Sequence, residues 1–258
     1  MSDLLYEVKD KIATITLNRP DKLNAFTRDM IDAWAKSLSA AQADDSVNVI
    51  VVTGSGRAFC SGGDVGRMRE GEPTALDGKN SLWEGVHRVP KTLETVDKPV
   101  IAMVNGLAVG AGMGMCVMCD MRVAAESARF GCLERRFGVP LIDGGTQRLP
   151  RVVGLGRALD LVLSGRLIDA HEAERIGLVN RVVPDGSALE YAVELAQEIA
   201  SYPWACVLAD RTSMYEGLGR PLEEGIELEA RRGRAVLIEA RIGAARFAAG
   251  AGRGGRFH

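Results

Sequence analysis

Net charge is nearly absent: 32 Lys and Arg against 34 Asp and Glu leave −2 in 258 residues. Without a basic or acidic excess, neither a nucleic-acid partner nor an anionic membrane surface is expected. Long apolar runs are missing too. No stretch approaches the roughly 20 uninterrupted apolar residues of a bilayer span, so no membrane association is expected. The opening residues, Met1-Ser2-Asp3-Leu4-Leu5-Tyr6-Glu7, lack a basic segment followed by an apolar run, and no targeting sequence is read there. Cysteine is sparse and odd in number: Cys60, Cys116, Cys119, Cys132 and Cys206. That set argues for reduced thiols and a cytoplasmic protein rather than a disulfide framework. Internal repeats and long linkers are also absent.

What is present is ordinary globular material, 47% hydrophobic and 26% charged. The length allows one sizeable core, or one core with an appendage. Residues 5–8 and 12–17 are β-prone runs around Lys9-Asp10-Lys11, which predicts a hairpin. Pro20 stops the second strand. Thr27 caps a predicted helix whose apolar face is Met30, Ile31, Trp34, Ala35 and Leu38. Residues 47–52 and 99–104 are continuous apolar runs suited to strands buried on both faces. Residues 122–124 and 178–183 are read as further short strands. Strands alternating with helices give an α/β class.

The last third reads differently. Asp169-Ala170-His171-Glu172 and Ser187-Ala188-Leu189-Glu190 resemble capping boxes. The second opens a helix with Leu189, Ala192, Val193, Ala196 and Ile199 inward. Residues 204–247 read almost wholly as helix, broken near Gly217 to Pro221. Two parts are expected: residues 1–200 for binding and catalysis, and a helical region at 201–258.

Two glycine-rich turns follow the buried strands. Arg57-Ala58-Phe59-Cys60-Ser61-Gly62-Gly63-Asp64 comes after the first, and Asn105-Gly106-Leu107-Ala108-Val109-Gly110-Ala111-Gly112-Met113-Gly114 after the second. Glycines let a backbone approach a ligand closely and aim its N–H groups at it. The second turn opens a helix, where unpaired N–H groups favour developing negative charge. Plain strand-to-helix turns and close helix packing explain the same glycines. Neither Gly110-Ala111-Gly112 nor Gly154-Leu155-Gly156 completes the dinucleotide fingerprint.

Taken in order, Phe59-Cys60-Ser61-Gly62-Gly63-Asp64, Lys98-Pro99-Val100-Ile101-Ala102-Met103-Val104-Asn105-Gly106, Cys119-Asp120-Met121-Arg122-Val123-Ala124 and Gly144-Gly145-Thr146-Gln147-Arg148-Leu149 resemble the blocks of the enoyl-CoA hydratase/isomerase (crotonase) family, over roughly residues 5–248. The resemblance implies a spiral of ββα units with a helical C-terminal region that builds trimers, often paired into hexamers. It implies an acyl-CoA substrate and no separate cofactor or metal, since coenzyme A arrives with the substrate. Backbone N–H groups of Gly63 and Ala111 would form an oxyanion hole, with alanine standing where glycine is usual. Lys22, Asn24, Ala25, Ser61, Gly62, Asp64, Val65 and Gly110 would line the CoA path.

The same resemblance exposes a departure. Hydratases of this family carry two glutamates, and their positions fall here at Gly114 and Glu134. Glu134 is the expected general acid/base; a solvated acid beside Arg135 and Arg136 is the alternative. With one carboxylate missing, double-bond isomerisation is expected to be slightly favoured over hydration. Hydration would need a water or Asp143 as substitute, and a non-catalytic acyl-CoA binder is the further alternative. Some relatives place a functional aspartate in this loop, but at the position of Ile142; for Asp143, one residue on, a loop cap competes with catalysis. Cys116 and Cys119 have metal-like spacing but lie in an apolar helix with no second ligand pair. His87 and His171 are read as surface residues. Arg67, Arg69, Arg253 and Arg256 remain as possible phosphate contacts.

Overall fold

The computed structural model describes residues 2–64, 89 and 92–250. The chain divides into two units, Met1–Gln197 and Glu198–His258.

In the first unit, β1 (Leu4–Lys9) and β2 (Ile12–Leu17) form the expected antiparallel hairpin. Asp10 and Lys11 turn it with positive φ angles of 50° and 67°. Beyond a 3-10 turn at Pro20–Lys22, Thr27 accepts the Met30 N–H and starts α1 (Arg28–Ala43). All five residues expected on its inner face are buried. Lys98 Nζ donates to the carbonyls of Ala41 (2.7 Å) and Asp44 (2.6 Å), a cation on the last turn of α1.

Two sheets carry the remaining strands. The larger runs β1-β2-β3-β5-β7-β10, with β3 (Val49–Gly54), β5 (Val100–Val104), β7 (Met121–Ala125) and β10 (Arg181–Val183) parallel to β2. Every residue of β3 and β5 is buried, as continuous apolar runs predict. The smaller sheet runs β4-β6-β8-β9, from β4 (Ala58–Cys60), β6 (Leu107–Val109), β8 (Arg129–Gly131) and β9 (Ile168–Asp169). Strands β3, β5 and β7 thus each lead into a short strand of the smaller sheet, β4, β6 and β8. At the β5–β6 corner a Cβ on Gly106 would lie 2.2 Å from the Arg57 carbonyl oxygen, so only glycine passes.

Helix α2 (Ala111–Met118) follows β6, and α3 (Gly145–Val153) and α4 (Leu155–Ser164) follow a 3-10 turn at Leu133–Phe137. Asp169 caps α5 (Ala170–Arg175) by accepting the Glu172 N–H at 2.7 Å, as the capping box predicts. The strand expected over residues 178–183 is shorter. Leu178 and Val179 donate their N–H groups to the Ala173 carbonyl and close α5, which leaves only β10 for the ladder. In α6 (Ala188–Ser201), Ala188, Ala192, Ala196 and Ala200 form the buried row. Leu189, expected inward, lies about 100° round from that row and is exposed. Ser187 Oγ donates to the Pro184 carbonyl.

The second unit contains α7 (Trp204–Gly217), α8 (Leu222–Ala235) and α9 (Leu237–Ala248). The break near Gly217 to Pro221 falls where expected, and Val236 adds another. Within this unit Met214, Leu218, Leu222, Ile226, Leu237 and Ile238 are exposed. No helix among the described residues is long and apolar enough to cross a membrane.

Candidate active site

The site is built where the two glycine-rich turns meet. Gly110 caps α2 with φ 59° and ψ −137°, angles that a side chain rarely permits. Ala111 is then the first helical residue, where a Cβ is ordinary, so alanine in place of glycine costs the backbone nothing. Its N–H belongs to the first turn of α2 and has no carbonyl of its own helix to meet. Gly62, at φ 87°, packs on this point. A Cβ there would lie 3.1 Å from the Ala111 nitrogen and 3.2 Å from the Val109 oxygen. Gly63 forms an isolated parallel bridge with Phe26, held by the Phe26 N–H donating to the Gly62 carbonyl at 2.8 Å. A Cβ on Gly112 would strike the Cys60 carbonyl oxygen at 2.2 Å, so α2 sits directly on β4.

The far end of α2 is also fixed. Buried Arg122 donates to the Cys116 (3.2 Å), Cys119 (2.7 Å) and Leu178 (2.6 Å) carbonyls. A cation at that end complements the helix dipole, leaving the opposite end directed at the site. Cys116 and Cys119 are buried thiols within this packing. Burial pushes Cys119 up to about 12 and raises Cys116 well above its ordinary value, so neither is a ready thiolate. Among the described residues no group of three His, Cys, Asp or Glu side chains is placed to hold a metal ion.

The segment expected along the CoA path folds beside the first turn. Lys22 is exposed at the end of the 3-10 turn, and Ser61 N–H donates to the Leu23 carbonyl at 3.0 Å. Asn24 requires a correction. Its side chain is fully buried, donating to the Ser55 (2.9 Å) and Ala58 (2.8 Å) carbonyls and accepting the Arg19 N–H (2.8 Å). It holds the loop rather than offering its side chain to a ligand, and its φ of 55° suits asparagine. Ala25 is buried and its carbonyl accepts from Arg19 Nη1 at 2.6 Å. Arg19 also pairs with Asp64 at 3.2 Å, so Asp64 ties the two segments together. Sequence reasoning missed Arg19, because its partner lies 45 residues away and no local pattern announces it. It also missed Cys60, whose thiol donates to the Asn24 carbonyl (3.1 Å) while its sulfur accepts the Gly62 N–H (3.3 Å). Val65, Arg67, Arg69, His87, Arg253 and Arg256 lie outside the described residues. His171 is exposed on α5.

Glu134 enters from the 3-10 turn after β8. Its Oε1 lies 3.7 Å from where a Cβ on Gly110 would stand, beside the junction of the two turns. The side chain is half-buried, and among the described residues its Oε2 has no hydrogen-bond partner. Removal from water is the main reason its pKa is pushed up to about 7, and the Asp143 charge adds to the rise. The solvated-acid alternative does not fit these surroundings. A carboxyl that is both proton donor and acceptor near neutral pH, next to helix N-terminal N–H groups, suits proton transfer to a carbanion whose charge rests on an oxygen.

Asp143 is buried, at 2% exposure, in the loop leading to α3. Its Oδ1 accepts the Gly145 N–H at 2.9 Å. A Cβ built on Gly114 would lie 1.9 Å from Asp143 Oδ2. Gly114 and Gly110 are one helical turn apart, joined by the Gly114 N–H to Gly110 carbonyl bond of 3.2 Å. Glu134 thus approaches α2 at its N-cap and Asp143 approaches it one turn further on.

Similarity to known proteins extends over nearly the whole chain. The family described as enoyl-CoA hydratase/isomerase matches residues 7–248. A Rhizobium meliloti protein described as a probable enoyl-CoA hydratase is 38% identical over 88% of this chain and 87% of its own. The 2,3-dehydroadipyl-CoA hydratase of Escherichia coli is 37% identical over 89% of this chain and 88% of its own. The crystal structure of an enoyl-CoA hydratase from Bacillus anthracis superposes with a TM-score of 0.84 at 32% identity, covering 92% of this chain and 91% of that one.

Proposed function

Because the chain belongs to the enoyl-CoA hydratase/isomerase family, we propose that it adds water to the double bond of a 2-enoyl-CoA thioester, and removes it in reverse, through an enolate. The observation that carries this reading is Glu134: a carboxyl beside the turn junction that would hold the thioester oxygen, pushed up to about 7 by burial so that it can give or take a proton near neutral pH. In this reading the N–H groups of Gly63 and Ala111 stabilise the oxyanion as water oxygen bonds to C3. Each such donor is worth about 3–4 kcal/mol in the transition state. Glu134 then delivers its proton to C2. The relatives named above are hydratases, which supports water addition over the isomerisation expected from Gly114. That expectation rested on a missing carboxylate at Gly114, and the Asp143 carboxylate packs against the helix at that residue, where a Cβ would otherwise stand.

In the same reading, residues 1–200 bind the acyl-CoA, with Lys22, Ser61 and Gly62 along the CoA path, and residues 201–258 assemble the chain into a trimer or hexamer. The test is turnover of crotonyl-CoA, followed at the thioester absorbance, by the unmodified protein and by Glu134→Gln. We expect ready hydration and a loss of at least about 100-fold in the variant. Turnover of a 3-enoyl-CoA without hydration would return the isomerase reading. Binding of acyl-CoA with turnover of neither would leave a binding protein.

A further inference from the structure

We propose that Asp143 is the second catalytic carboxylate of this site, a loop-borne replacement for the helix-borne side chain that Gly114 lacks, and that it activates the water that attacks C3. The inference rests on the enoyl-CoA reading of the site and adds to it a residue, a role and a reason for the glycine.

The geometry is one of exchange. A Cβ on Gly114 would stand 1.9 Å from Asp143 Oδ2, 2.4 Å from Cγ and 2.9 Å from Oδ1. All three distances fall below the closest approach that real Cβ atoms show, so the carboxylate and a side chain at position 114 exclude each other. Gly114 is therefore not a residue that has merely lost its function. It vacates the place that Asp143 fills from another segment. The Asp143 backbone lies just ahead of α3, where Gly144, at φ 85° and ψ 5°, caps the helix. Its Oδ1 is committed to the Gly145 N–H, which fixes the carboxylate's orientation and directs Oδ2 toward α2.

A loop cap alone does not explain the residue. A cap needs one acceptor, which serine or asparagine supplies without a buried charge. Here an acid at 2% exposure shares its surroundings with a second, half-buried acid whose Oε2 has no hydrogen-bond partner among the described residues. Placing two like charges in one poorly hydrated site is unfavourable for folding and is characteristic of acid/base pairs. Both carboxylates also act on the thiol of Cys132, which burial and their charges push up to about 12, so the three groups line one region.

The chemistry balances with one proton shared by the pair. Asp143, ionised, takes a proton from water as the water oxygen bonds to C3. The C2–C3 π electrons move onto the thioester as an enolate. Glu134, protonated, transfers its proton to C2 as the enolate collapses, giving the 3-hydroxyacyl-CoA. The proton on Asp143 then returns to Glu134, and one water has been consumed.

The test uses the full chain with crotonyl-CoA for hydration, a 3-enoyl-CoA for isomerisation, and calorimetric titration with butyryl-CoA for binding. Asp143→Asn keeps the bond to the Gly145 N–H and the side-chain shape while removing the proton acceptor. Gly114→Ala keeps Asp143 and expels its carboxylate. Each should lower hydration kcat at least about 100-fold, and at least tenfold more than it lowers isomerisation, with butyryl-CoA still bound. The double variant Gly114→Glu, Asp143→Gly should recover part of the lost hydration, because it returns a carboxylate to the helix. Hydration within a few-fold of the unmodified protein in Asp143→Asn would overturn the proposal and leave Asp143 a cap. Equal loss of both reactions would make it a structural residue and overturn the proposal as well. If the unmodified protein binds acyl-CoA but hydrates nothing, the functional reading itself fails, an outcome distinct from either.

Discussion

A Cβ on Gly62 would stand 3.1 Å from the backbone nitrogen of Ala111, although the two residues lie on separate turns almost 50 positions apart. Neither turn alone is a site. Their contact brings the Gly62–Gly63 backbone against the first N–H groups of α2, and a Cβ at position 62 would push these neighbours apart by a few tenths of an ångström.

Gly62→Ala is expected to lower hydration about 100-fold or more, mainly in kcat, since one displaced oxyanion donor has that cost. The φ of 87° adds strain of roughly 1–2 kcal/mol for a residue with a Cβ. Steady-state kinetics with crotonyl-CoA, together with a melting curve, separate the two effects. A variant as active as the parent would remove this junction from the catalytic account.

The pH profile distinguishes hydration from isomerisation. Hydration needs one proton on the Glu134–Asp143 pair, and so does its reversal, so kcat/KM for both directions should fall as pH rises through about 7. Isomerisation by Glu134 as a lone base needs the ionised form and would rise through the same range. Rates measured from pH 5 to 9 with crotonyl-CoA and a 3-enoyl-CoA decide which holds.

Glu134→Gln should stabilise the fold while it lowers turnover. The folded-state pKa of about 7 lies above the ordinary 4.5, so the folded chain holds a proton that the unfolded chain releases between those values. The parent therefore loses stability as pH rises from about 4.5 to about 7, and levels off above that. The amide never ionises and escapes the loss. Equal melting temperatures near pH 4, with the variant higher at pH 8, are the expected result; a variant less stable at pH 8 would contradict the burial of this carboxyl.

Asn24→Ala should destabilise the first unit by about 2–4 kcal/mol. It removes the side-chain partner of the Ser55 carbonyl and of the Arg19 N–H, leaves the Ala58 carbonyl with Asn105 alone, and puts alanine at φ 55°. Denaturant unfolding measures this directly. If the loss were in CoA affinity alone, at unchanged stability, Asn24 would be a ligand contact after all.

Light scattering at micromolar protein should give three or six chain masses. The exposed Met214, Leu222, Ile226 and Ile238 of the second unit are too apolar for a surface that remains in water. One chain mass would show that these side chains have another purpose.

The sequence by itself determined the elements whose signals are local. The β1–β2 hairpin, the Thr27 and Asp169 caps, the buried runs of β3 and β5, and the helical last third all follow from periodicity, capping chemistry and apolar continuity. Glu134 and the two glycine turns were legible through ordered motifs that resemble a known family. Strands β4, β6, β8 and β9 were not legible, because two or three residues are too few to show a period, and they form only where a corner such as Gly106 admits them. Only tertiary structure decided that the Asn24 side chain holds its own loop, that Ala111 falls at a helical position where a Cβ is ordinary, and that Asp143 stands in the space above Gly114. The physical reason is the same in each case. A residue's type is local, whereas the direction of its side chain and the room left by a distant glycine depend on chain segments tens of positions away.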